Sequence, residues 1–192
     1  MLVATLLRFL LHCSAMCLKV NNKVVTESRP GHHRSNMKPE PEEIKNQLRK
    51  FNLMGYADES IKYENNGKNG KILSRVDNSW KYEDEYYGGE PYSGNETLWY
   101  NEKDIFRCVY WGKVISGVNF SDIYLFLRKA LKEGPNGKCV HRGPENFTEN
   151  NLTYTNTCNG DIEEFVQTEK IFMDGREVYL AHFIGGRVNT HE

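Results

Sequence analysis

Residues 152–184 read LTYTNTCNGDIEEFVQTEKIFMDGREVYLAHFI. Two turn signals divide the stretch, Asn159-Gly160-Asp161 and Asp174-Gly175. Asn-Gly and Asp-Gly between alternating apolar and polar runs are the strongest short-range hairpin signal, because these residues tolerate the positive φ that tight hairpin turns require. The stretch therefore predicts an antiparallel meander of Leu152–Thr157, Ile162–Met173 and Arg176–Ile184.

Working outward, the period is strand-like from Ile72 onward. Trp80, Tyr82, Asp84 and Tyr86 alternate with Lys81, Glu83 and Glu85, and Gly88-Gly89 breaks the run. Glu96–Tyr100 is a short strand, followed by a tight turn over residues 101–104. Ile105–Ile115 (IFRCVYWGKVI) is the most apolar strand and is expected at the centre of the sheet, with Gly112 marking a bulge or a close backbone approach. Residues 64–71 (ENNGKNGK) read as a polar turn or loop.

Two segments carry a helical period instead. Pro39–Met54 has prolines at its start, acids in its first turn, and Ile44, Leu48 and Phe51 on one face. Ser121–Glu133 has Ser121 as its expected cap, an apolar face of Ile123, Phe126, Leu127, Ala130 and Leu131, and Gly134-Pro135 as its stop. Together these predict an α+β class: one domain over residues 37–192, with a mostly antiparallel five- to six-stranded sheet and two main helices packed on one face. Residues 1–36 differ in composition and read as an appended leader. It admits three readings: a secretory signal with Cys13 and Ala15 at a cleavage site, a short amphipathic helix, or a product of an early start codon with Met37 as the natural start.

Composition narrows the function. The chain of 192 residues balances 25 Lys and Arg against 26 Asp and Glu, which argues against nucleic-acid binding through this domain alone and against a polybasic membrane anchor. No apolar run reaches the ~18 residues needed to span a bilayer. There is no P-loop, no Gly-x-Gly-x-x-Gly, no nucleophile elbow, no Cys-x-x-Cys and no His-Glu-x-x-His, so no cofactor and no metal is expected. The cysteines of the domain, Cys108, Cys139 and Cys158, are odd in number and read as reduced cytosolic thiols, with a Cys139–Cys158 bridge as the alternative for a secreted chain. Four glycosylation sequons, at Asn95, Asn119, Asn146 and Asn151, bear only on that alternative.

The densest chemical constellation runs from Tyr82 to Trp99. Gly88 and Gly89 let a partner approach the backbone, tyrosines supply rigid contact area with a polar tip, and Glu90 and Glu96 are candidate general bases. The competing reading is a hairpin whose aromatics serve as core and cross-strand pairs. A second cluster is Arg142-Gly143-Pro144, where an arginine beside a rigid turn either binds an oxyanion or clamps the loop to an acid. The candidate ligand-binding set is Tyr87, Gly88, Gly89, Glu90, Trp99, Tyr110 and Arg142.

Read in order, Tyr87-Gly88-Gly89-Glu90, Ser93-Gly94-x-Glu96-x-x-Trp99, Tyr110-x-Gly112, Arg142-Gly143-Pro144, Gly160-Asp161 with Phe165, Glu169-x-Ile171, and Val178-Tyr179 through Gly185-Gly186 resemble domain of unknown function 5680, over roughly Trp80 to Arg187. The resemblance implies a small prokaryotic domain that occurs alone or behind a helix-turn-helix DNA-binding domain. It assigns no role to any residue. Two departures stand out: Ile184 where a His is expected before the Gly-Gly pair, and Gln167 near a place where a Gly is expected. The first 60 residues hold one good helix, so no helix-turn-helix is expected in this chain.

The favoured expectation is a small ligand- or partner-binding domain in the cytoplasm, without a recognisable catalytic motif. The first alternative is an enzyme using Glu90 or Glu96 as general base with Arg142 as anion anchor. The second is a secreted, glycosylated, disulfide-bridged protein.

Overall fold

The computed structural model describes residues 38–58, 60–115 and 117–189. The readings of the leader, with Cys13, Cys17 and the His32-His33 pair, lie outside the described residues. No helix among the described residues is long and apolar enough to cross a membrane.

Among the described residues nine strands form one antiparallel sheet. In chain order the elements are α1 (Pro41–Leu53), β1 (Glu64–Asn65), β2 (Gly70–Asp77), β3 (Trp80–Gly88), β4 (Tyr92–Tyr100), β5 (Lys103–Val114), α2 (Phe120–Glu133), β6 (Asn146–Glu149), β7 (Leu152–Gly160), β8 (Glu164–Met173) and β9 (Arg176–Arg187). The sheet order is β1-β2-β3-β4-β5-β9-β8-β7-β6. Two meanders, β1 to β5 and β6 to β9, are thus joined along β5 and β9. The most apolar strand, β5, stands fifth of nine.

This overturns the expected five- to six-stranded sheet with two helices packed on one face. The chain is mostly one nine-stranded antiparallel sheet, with helices of only 13 and 14 residues. The physical reason lies in two segments without a clear period and a third whose strand period is diluted by polar residues. β1 has two residues, β6 is the polar Asn146–Glu149, and β2 mixes Lys71, Ser74 and Arg75 among its apolar positions. The 64–71 loop is accordingly β1, a turn and the start of β2. Ser121 is not the cap of α2: Asn119 is, its side chain accepting from the Ser121 backbone N–H at 3.0 Å.

Strand register fixes which side chains share a face. Asp84 pairs with Glu96, and Glu96 with Cys108. Tyr86 pairs with Gly94, Gly94 with Tyr110, Tyr110 with Phe183, and Phe183 with Gln167. Tyr92 pairs with Gly112, Gly112 with Ala181, Ala181 with Glu169, and Glu169 with Asn156. Every side chain in these rows projects to the same face, because the strand period is two. The core gathers on this face, joining Tyr82, Leu98, Phe106 and Phe183 to Ile44, Leu48 and Phe51 of α1. Phe51 stacks on Tyr82 with ring centroids 5.4 Å apart.

The face is concave. His141 approaches Glu96 of β4 through its side chain, while its carbonyl accepts from Asn156 of β7 and Gln167 of β8. Strands β4 and β7 are four steps apart and would stand roughly 19 Å apart in a flat sheet. One residue meets both because the sheet bends around the segment 139–144.

Candidate functional site

Large and small residues alternate along the inner rows. A Cβ on Gly94 would run into the Tyr110 ring, and one on Gly112 into the Tyr92 hydroxyl. The two tyrosine rings therefore lie over bare backbone, and these close approaches require glycine. No bulge occurs at Gly112; the register shifts fall between Leu98 and Trp99 and between Ile171 and Phe172.

Above this floor is a cavity of about 260 Å³. Tyr86, Gly88, Gly89, Tyr92 and Tyr110 border it from the sheet side, with Asp84 and Phe183. Tyr56 and Tyr63 close it from the segment after α1, Tyr124 and Arg128 from α2, and Arg142 from the turn after Val140. Burial raises the hydroxyls of Tyr56, Tyr63, Tyr92 and Tyr110 above the usual phenol range, so all four stand as neutral phenols.

Three buried acids lie at or beneath the cavity, and their environments differ. Glu169 receives both arms of Arg142, Nε to Oε1 at 3.2 Å and Nη2 to Oε2 at 3.4 Å, and the Tyr154 hydroxyl donates to Oε1 at 2.8 Å. Burial works against the Arg142 charge, but Glu169, Tyr179, Tyr92 and Glu96 together more than offset this and hold the guanidinium well above its usual range. The second acid, Glu96, lies 2.7 Å from Nε2 of His141. Neither atom is aligned as a hydrogen bond, so the contact is chiefly Coulombic. Asn52 Nδ2 is 3.0 Å from Nδ1 of the same ring; with the amide donating there, the proton sits on Nε2 and faces Glu96. Burial pushes the Glu96 carboxyl up and His141 pulls it down further, leaving it below its ordinary value.

The third acid is Asp84, 8% exposed. Its oxygens accept from the Tyr63 hydroxyl at 2.7 Å and the Tyr110 hydroxyl at 2.6 Å. Among the described residues it has no ion-pair partner. Burial, reinforced by the neighbouring Glu96 charge, pushes its carboxyl up to about 6, against the opposing pull of the two tyrosines and Arg142.

The two arginines also differ. Arg142 lies 4.9 Å from the centre of the Phe183 ring and 5.8 Å from that of Tyr56, and its own backbone sits at a φ of 68°. Arg128 stacks 4.9 Å from the centre of the Tyr56 ring, and its Nε is buried without a hydrogen-bond partner. Guanidinium groups of the chain itself therefore occupy the cation positions over these rings.

Of the candidate set, Gly88, Gly89, Tyr110 and Arg142 border the cavity and Tyr87, Glu90 and Trp99 do not. Strand parity separates them. Tyr87 faces the opposite side from Tyr86, its hydroxyl on Glu85 at 3.0 Å. Trp99 lies in a surface groove with Trp80 and Lys81, whose Nζ is 4.8 Å from the centre of the Trp99 ring. Glu90 supports the site from behind, accepting from the Val114 backbone N–H at 2.6 Å and from the Tyr124 hydroxyl at 2.5 Å. Glu96 is committed to His141. Neither candidate base thus shares the cavity that Arg142 borders.

Sequence reasoning missed Tyr56, Tyr63, Asp84, Tyr92, Tyr124 and Arg128 as cavity residues. A signal existed for three of them: Asp84 is the lone acid at the inward positions of β3, and Tyr124 and Arg128 are one helical turn apart. Cys108, Cys139 and Cys158 are free thiols. Among the described residues no group of three His, Cys, Asp or Glu side chains is placed to hold a metal ion.

The two departures noted in the sequence are now placed. Ile184 is 55% exposed, on the side of the sheet away from the cavity. Gln167 is buried and donates to the His141 carbonyl at 3.1 Å, tying down the segment that carries Arg142. No curated protein and no solved structure matches the chain. A family model described as Domain of unknown function (DUF5680) matches residues 84–188, from the cavity acid through β9 and over more than half of the chain. The chain therefore belongs to that family of domains of unknown function.

Proposed function

We propose that this domain binds a small planar molecule bearing an oxyanion, with Arg128 as the anchor and the tyrosine rings as walls. The observation that carries this reading is the contrast between the two arginines. Arg142 is neutralised by Glu169, whereas the Arg128 Nε is buried at the cavity without a partner. A desolvated guanidinium donor left unpaired is costly, and a carboxylate accepts from it bidentately. An exogenous cation is disfavoured, since the chain's own guanidiniums already lie over Tyr56 and Phe183. At about 30 Å³ per water, the cavity has room for roughly eight water molecules, enough for one small ring. Rigid aromatic walls with few polar groups are the usual make-up of a small-molecule site.

Benzoate is a suitable probe, being planar, compact and singly charged. At roughly ten times its Kd it is expected to raise the melting temperature of the full chain by about 3–5 °C. Arg128→Met is expected to abolish the rise while melting normally without ligand. An unchanged rise in Arg128→Met speaks against this anchor, and no rise in the wild type speaks against the cavity as an oxyanion site.

A further inference from the structure

Among the described residues three buried acids face the concave side, and two have basic partners, Glu169 with Arg142 and Glu96 with His141. The exception is Asp84, the only acid among the described residues that borders the cavity. A buried acid kept for stability alone is expected to be paired. Instead, Asp84 is held by two phenols, Tyr63 and Tyr110, one on each oxygen. A carboxylate offers about four acceptor positions, so each oxygen keeps one lone pair for a ligand. The cross-strand neighbour Glu96 opposes its ionisation, while neutral phenols and Arg128 stand where negative charge on a ligand can be received.

We propose that Asp84 is a proton-transfer group acting on the small planar molecule bound in this cavity. The substrate class is a β,γ-unsaturated carbonyl compound that also carries a carboxylate. An Asp84 oxygen takes the proton from the carbon beside the carbonyl, and the C–H electron pair moves into the carbonyl to give an enolate. The enolate oxygen accepts from the Tyr56 hydroxyl, which is not committed to Asp84, and the protonated Asp84 returns the proton to a different carbon of the conjugated system. The product is an isomer, Asp84 is restored, and no co-reactant is consumed. The raised carboxyl is suited to this, since a base works best near the ambient pH.

The inference rests on the cavity reading, and the test separates the two. The probe is 5-nitrobenzisoxazole, a small planar ring. Its C–H proton passes to a carboxylate, the electron pair forms a nitrile, the N–O bond breaks, and a coloured phenoxide leaves. The full chain is expected to open it with saturable kinetics, inhibited by benzoate, and with a rate that rises with pH to a plateau through about 6. The groups facing Asp84 are Tyr63, Glu96 on β4, Tyr110 on β5 and Arg142. Asp84→Asn is expected to lose at least tenfold in rate while still binding benzoate. Tyr63→Phe removes one donor to the anion and is expected to move the midpoint to higher pH, a readout that does not depend on the Asn variant folding. Benzoate binding without acceleration by the wild type, or acceleration undiminished in folded Asp84→Asn, overturns the proton-transfer role and leaves the cavity reading standing. Absence of benzoate binding to the wild type overturns both.

Discussion

Arg142 and Arg128 illustrate how two identical side chains in one cavity come to do different work. Arg142 faces Glu169, whose side chain is fully buried. Removing one member of a buried pair strands the other, so Arg142→Met is expected to cost about 3–5 kcal/mol in urea unfolding. Arg128→Met removes a half-buried group with no acid partner among the described residues, and is expected to cost under ~1 kcal/mol in the same experiment. Equal losses would contradict the division of roles. Arg142 stood out in the sequence because it precedes Gly143-Pro144. Arg128 did not, because on α2 it borders the apolar stripe and reads as an ordinary solvent-side cation until the tertiary structure turns that edge toward Tyr56.

At the level of elements, the site depends on strand parity and on glycine positions beneath aromatic rings. Gly112→Ala is expected to displace the Tyr92 ring, destabilising the domain by about 1–3 kcal/mol and weakening benzoate binding. Urea unfolding with a parallel titration checks both, and a neutral result would mean the ring moves aside freely. The alternation in β3 and β5 and the turns of the β7–β9 meander were legible, because period two and Asn-Gly or Asp-Gly turns are local properties. Which face is functional was not legible, because aromatics stand on both: Tyr86 and Tyr110 on the concave side, Tyr87, Trp99 and Trp111 on the other. Tyr87 and Trp99 were thus grouped with residues across the sheet from them. β1 and β6 lacked a readable period and the period of β2 was diluted by polar residues, which made the expected sheet too narrow.

In the whole molecule, opposite shifts at two neighbouring acids shape the response to pH. The folded state raises the Asp84 carboxyl to about 6 against an ordinary 3.8. Its contribution to stability is therefore present below the ordinary value and is lost as pH rises through about 6. Glu96 is lowered, so its contribution is lost as pH falls through its folded value. The melting temperature of the wild type relative to Asp84→Asn is expected to fall between about pH 4 and pH 6; a flat or rising difference would contradict the placement of Asp84. The bend that carries β7 and β8 toward β4 assembles these groups, and no local pattern in the sequence encodes it. The proposed oxyanion site on the concave face stands or falls with Arg128 as its anchor. Calorimetric titration of benzoate into the wild type and Arg128→Met tests it most directly: saturable, one-site binding lost in the variant is the predicted result, and equal binding by both proteins, or none by the wild type, would contradict it.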